Sequence, residues 1–384
     1  MAKEKLQCAC EPCSDRAAKR LKTQKKHLYL IADDWDRGYS VYKVDVEAFD
    51  AIDHAGAGSE PFPDLPVARF EARHDGSWYF AAHGAKILAM QPSGYPAFPV
   101  FDTETNALAV WPWRRRGGNE ESRKPFFASV AGDLYLLRGG HFDVLGAAPP
   151  HPDSNTTSFR EEAAWSWSRV PSPPPFHDSN RISSFALHPD GHTLFVSQHQ
   201  STFSFDTARG EWATHGTWIL PFKGQAFFDS ELEAWVGLCC HKGGGGYICS
   251  CDVAPVAADC RSLPLWKLGK DRLFDAESRR HLGATLVCMG DSKYCLVESL
   301  AQDDEEVLRR LHSDGYYPHR RVLSVTTFGL RYDKQGELTI TQRKARFYMV
   351  TDSHKLPEMS WNPVAFWIEK EATTFALKAT KLPR

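Results

Sequence analysis

Four histidines recur in one kind of place: His83, His141, His199 and His241 each follow a short apolar run that begins after a Gly/Asp-type turn. Imidazole titrates near neutrality, so four such groups on one face would suit a pH-sensitive polar mouth around a ligand. A single metal site is not expected from them, because metal bonds need donors about 2 Å from the ion and these residues belong to separate repeats. The competing explanation is that histidine tolerates turn conformations, and that four of 16 fall there by chance.

A second cluster, CCHKGGGGYICSC (239–251), carries the thiols and imidazole that zinc prefers. Its spacing points elsewhere. Cys249 and Cys251 alternate as on a strand, which turns both to one sheet face. No Gly-Lys-Ser/Thr follows the four glycines, so they form a flexible turn and not a phosphate-binding loop. Cys8, Cys10 and Cys13 are more metal-like, but three thiols need a fourth donor from elsewhere. No G-x-S-x-G elbow, H-E-x-x-H helix, dinucleotide fingerprint or kinase set is present. No cofactor is implied, and enzyme status stays open with a non-catalytic role as the main expectation.

The elements that must position these residues form a repeat. HDG-SWYFAAH, AGD-LYLLRGGH, PDGHT-LFVSQH, DSELE-AWVGLCCH and GDSK-YCLVES share a turn followed by a bulky run, anchored by Tyr79, Tyr135, Phe195, Trp235 and Tyr294. HLYLIADD (27–34) is a further copy. Around each run a four-strand unit can be drawn, clearest in 182–216: ISSFAL, TLFVSQ, STFSFDT and EWATHG as strands a to d. Phe-Asp-Thr, at 101–103 and 205–207, then ends strand c, where the aspartate can bond the backbone of the next turn. Asp45, Asp102, Asp206, Asp252 and Asp333 occupy comparable places; the third unit lacks one. The predicted fold is all-β, a single β-propeller of six four-stranded blades, with seven also compatible. The first unit has no visible strand a, and Ala345–Val350 is the candidate to supply it and close the ring. This divides the chain into a basic, Cys-containing tail (1–26), the propeller (27–350) and a C-terminal extension (351–384).

The 384 residues, 42% hydrophobic and 12% aromatic, can fill a large core, and a net charge of −2 offers no global attraction for nucleic acid or an anionic membrane. No run is long and apolar enough to span a bilayer. The charged N-terminus lacks the apolar region of a secretory signal, so a cytoplasmic location is expected, with the basic run KRLKTQKK allowing nuclear import.

The stretch TFSFDTARGEWATHGTWILPFKGQAFFDSELEAWVGLC (202–239), with CSCDV, WKLG and HLGATLV, resembles a large family of grass-plant proteins of unknown function with a kelch-like fold. The resemblance implies a plant source and a propeller, and it brings no catalytic residues. No F-box-like helical segment precedes the repeats, which argues against a simple ubiquitin-ligase adaptor. The expected function is therefore recognition of another protein through loops on one face. His83, His141, His199, His241, Tyr316, Tyr317 and Arg320 are its candidate contacts, the last three from the insertion 301–321. The alternative is a propeller enzyme or small-molecule-binding protein using the central mouth. Nucleic acid and membrane partners are not expected, and the sequence does not set the oligomeric state.

Overall fold

Aromatic and β-branched residues favour pleated strands over helices, and the computed structural model places them in strands throughout. It describes residues 26–49, 59–62, 65–72, 78–90, 97–112, 124–138, 140–146, 167–176, 179–257, 263–302, 320–350 and 362–369. Among the described residues no helix is long and apolar enough to cross a membrane.

The strands fall into four-stranded units. Unit 1 contains β1 (Lys26–Trp35), β2 (Gly38–Val44) and β3 (Ala68–Glu71). Unit 2 contains β4 (Tyr79–His83), β5 (Lys86–Met90), β6 (Ala97–Asp102) and β7 (Ala107–Pro112). Unit 3 is β8 (Phe126–Val130), β9 (Asp133–Arg138), β10 (His141–Leu145) and β11 (Trp167–Arg169). Unit 4 is β12 (Ile182–Leu187), β13 (Thr193–Gln198), β14 (Ser201–Asp206) and β15 (Glu211–Gly216). Unit 5 is β16 (Gly224–Asp229), β17 (Ala234–Leu238), β18 (Tyr247–Asp252) and β19 (Trp266–Arg272). Unit 6 is β20 (His281–Gly290), β21 (Lys293–Ala301), β22 (Arg321–Tyr332) and β23 (Leu338–Val350). The last strand, β24 (Val364–Glu369), returns to pair antiparallel with β1 and completes unit 1 in the order β24-β1-β2-β3.

Cores lie between units. Six hydrophobic clusters each span two neighbouring units, and the last joins Val287, Cys295 and Val325 of unit 6 to Leu28 and Leu30 of unit 1. Units packed side by side and closed by the chain's end strand make a β-propeller. Closure comes from Val364–Glu369, not from Ala345–Val350, which is the end of β23 and pairs with Arg321–Thr326. The boundary drawn at 350 thus cut off a strand of the ring. Pro363 O accepts from Thr285 Oγ1 (2.7 Å), and Asn362 packs where a Cβ on Gly283 would stand 2.4 Å from its Oδ1.

The inner strands β12 and β16 run parallel, Ser184 opposite Gly224. With a common direction, the turns from first to second and from third to fourth strand share one face, here the capped face. Turns from second to third strand, and links between units, lie on the opposite, connector face. Turns on the capped face are tight: Ala131 (φ 53°) with Gly132 (φ 86°), and Asp291 with Ser292 (both φ 50°), hold the left-handed pairs that match strand twist in hairpins.

Phe-Asp-Thr is a joint of this face. Phe101 and Phe205 are buried. Asp102 Oδ1 accepts from Glu104 N and Thr105 N, and Asp206 Oδ1 from Ala208 N and Arg209 N. Thr103 donates both N–H and hydroxyl to Ala85 O (2.9 and 2.8 Å), as Thr207 does to His192 O (3.0 and 2.8 Å). Each threonine also meets a tyrosine of the preceding unit, Tyr29 for Thr103 and Tyr135 for Thr207. Asp45 and Asp333 cap in the same way, while Asp252 is exposed before a longer link. The tryptophans differ: Trp212 pairs with Phe205, but Trp111 sits later in its strand, opposite Phe98.

Candidate functional site

The connector face is built at the other ends of the strands. In unit 6 the segment linking β21 to β22 leaves after Gln302 and returns at Arg320, and Gln302 N donates to Arg320 O at 3.1 Å. Beside it Arg321 is buried, its guanidinium on Asp33 of unit 1 and on Ser299 Oγ (3.3 Å). Burial pulls the Arg321 pKa down to about 10. That still leaves it charged at neutral pH, so the pair is ionic and would leave a costly orphan if either member were lost. At the start of β20, His281 Nδ1 lies 2.8 Å from Glu298 Oε1, and its ring stacks on Phe274. The base of the insertion is thereby anchored to two units.

Three of the four predicted histidines reach this face. His141 opens β10 half-buried. His199 is exposed at φ 55° in the turn after β13, its Nε2 2.7 Å from Arg181 Nη1. His241 is exposed and lies flat on Trp266, with ring centroids 4.5 Å apart. His83 does not join them. Tyr79–His83 is the first strand of unit 2, not the second, so His83 stands in the tight turn with Gly84 on the capped face. There its Nδ1 is 3.0 Å from Ser129 Oγ of unit 3, and burial lowers its pKa. The second strand of that unit is KILAM, which buries four successive residues as β9 does, and β13 buries all six.

Arg320 is exposed. Tyr316 and Tyr317 lie outside the described residues, as do Cys8, Cys10, Cys13 and the rest of the N-terminal tail up to residue 25, while Lys26 opens β1. Among the described residues no group of three or more His, Cys, Asp or Glu is placed to hold a metal ion.

The cysteine-rich stretch is packed rather than open. Cys249 and Cys251 share one buried cluster with Cys239. A hydrogen bond from Cys249 holds the Cys239 thiol down to about 7 against the opposing effect of burial. Gly243 stands in open space, but two of its neighbours fit tightly: a Cβ on Gly244 would stand 2.3 Å from Cys239 Sγ, and one on Gly246 (φ 87°) 1.9 Å from Phe274 O. The end of the turn is therefore packed on the link to unit 6, where Leu273 N donates to Gly246 O at 2.8 Å.

Sequence reading missed Asp33, Arg321, His281 and Glu298. Arg321 carried a usable signal, since it begins an alternating run whose neighbours Leu323 and Val325 are core residues.

Residues 25–348 match the family model described as "Protein of unknown function (DUF1668)". No curated protein matches the chain. Similar solved structures include that of YjhT, at 10% identity over 71% of this chain and 97% of that one, with a TM-score of 0.38. The WD40 domain of SCAP from fission yeast is 9% identical over 83% of this chain and 74% of that one, with a TM-score of 0.27.

Proposed function

The chain belongs to the DUF1668 family, and we propose that this member is a non-catalytic recognition propeller of plant cells, in the cytoplasm or nucleus, that binds another protein through its connector face. The observation that carries this reading is the insertion between β21 and β22. It leaves the ring beside exposed Arg320, and its base is fixed by the buried Arg321–Asp33 pair. A long segment on a rigid base is where binding usually resides. His199 and His241 add exposed polar groups to the same face.

The test is affinity purification from plant cells with the intact chain and with a variant lacking residues 303–319. Captured proteins are identified by mass spectrometry and rebound in purified form. A stoichiometric partner held by the first and lost by the second supports the reading. A partner held equally by both moves the contact elsewhere, and the absence of any stoichiometric partner defeats it.

A further inference from the structure

The net charge of −2 conceals a separation of charge between the two faces. On the capped face acids prevail for an architectural reason. Asp102, Asp190, Asp206, Asp229 and Asp333 all accept turn N–H groups there. The connector face of units 4 to 6 is the reverse. Arg181 precedes β12, Lys223 precedes β16, Lys242 lies between β17 and β18, Arg279 and Arg280 precede β20, and Arg320 precedes β22; all six are exposed. Among the described residues of the same links, the exposed acids are Asp275, which Arg272 engages, and Glu277.

We propose that this basic sector is the docking surface for an acidic segment of a partner protein, an inference that rests on the recognition reading above and names the chemistry of what is recognised. Exposed charges act together on an approaching anion over about a Debye length, so the cations are felt as a sector only at low salt and close range. Complementary charge sets encounter rate and register more than raw affinity. A short acidic peptide matches cations spread over three units at contact range. The near-neutral whole chain provides little long-range pull on an extended polyanion such as nucleic acid. The acidic run Asp303, Asp304, Glu305 and Glu306 follows Gln302 in sequence, outside the described residues, so the test must separate it from the ring.

The test is fluorescence anisotropy with the full chain and a labelled peptide of about ten glutamates, at about 0.05 M and 0.3 M salt. The peptide binds at low salt and weakens about tenfold at high salt. The triple variant Lys242→Glu/Arg279→Glu/Arg280→Glu loses at least about tenfold in affinity. Lys293→Glu/Lys334→Glu on the capped face stays within about twofold. All variants keep the wild-type circular dichroism and melting curve. The variant lacking 303–319 binds the peptide at least as well as the intact chain. Failure to bind, equal loss from both charge-reversal variants, or loss on deleting 303–319 would each overturn the proposal. Tighter binding of an oligodeoxythymidylate of equal length would do so too and mark a nucleic-acid surface. If the peptide fails while a captured partner still depends on 303–319, the recognition reading survives alone. If the peptide binds as stated and no partner is captured, it is that reading that falls.

Discussion

The capped face and the connector face are opposite ends of the same strands, yet they follow different rules. At the capped end the same atoms recur: aspartate oxygens on turn N–H groups in several units, and in units 2 and 4 a threonine clamped to the neighbouring turn and to a tyrosine of the unit before. At the connector end the three histidines share no common setting. His141 sits within a strand, His199 in a left-handed turn against Arg181, and His241 on an indole. Repetition marks residues that hold the ring, and departure from repetition marks residues available for use. The Arg321–Asp33 pair is the exception, an architectural contact on the variable face at the seam where the ring closes.

That exception gives the largest expected effect. Asp33→Ala leaves a buried guanidinium without its carboxylate and should cost about 3–5 kcal/mol in urea unfolding. Replacing both members with apolar residues, Asp33→Leu with Arg321→Met, should recover most of it. A loss below about 1 kcal/mol in the single variant would return Arg321 to the surface class. Next come Thr103→Val and Thr207→Val, each expected to cost about 1 kcal/mol. The comparison requires the two values to agree; one full-sized and one negligible loss would mean that the joints are alike in sequence only.

A smaller effect is pH-dependent. His215 is buried in β15, with Nε2 2.8 Å from Ser204 Oγ and its ring against Phe195, and burial lowers its pKa. The fold therefore favours the neutral ring, while the unfolded chain takes up a proton at the ordinary value of about 6.5. Stability is full above that value and falls as the pH drops below it toward the depressed folded value. His83, also lowered by burial, adds in the same direction. Melting temperatures between about pH 7.5 and 5.5 should fall, and less so in His215→Asn. The smallest effect is assigned to the connector face itself. His199→Ala and Arg320→Ala should each change stability by less than about 0.5 kcal/mol, and a larger loss in either would erase the contrast between the faces.

What the sequence disclosed follows the same division. Phe-Asp-Thr, the strand-c aspartates and the units around Tyr135, Phe195, Trp235 and Tyr294 were legible because turns and alternation are local. Unit 2 was displaced by one strand because His74-Asp75-Gly76 has the residue types of a hairpin turn, whereas the turn that leads into the buried second strand is Gly84-Ala85. Ring closure was misplaced because the pairing of His27 with Ile368 leaves no trace in neighbouring residues. Arg320 was chosen and Arg321 passed over because one position along a strand reverses the side a residue faces. The basic sector was out of reach for a related reason: every one of its residues is an ordinary surface cation until its strand end has been assigned to a face.

The pairing of β24 with β1 also bears on the order in which the molecule can be made. Synthesis proceeds from the N-terminus, and domains fold as their parts emerge. β1 leaves the ribosome early, but the strand that flanks it arrives with residues 364–369. Until then unit 1 carries an unpaired inner edge, a surface that invites association with other chains. A chain ended at residue 351 would keep that edge permanently. Aggregation during expression, rather than a modest loss of stability, is the outcome to look for when the C-terminus is shortened.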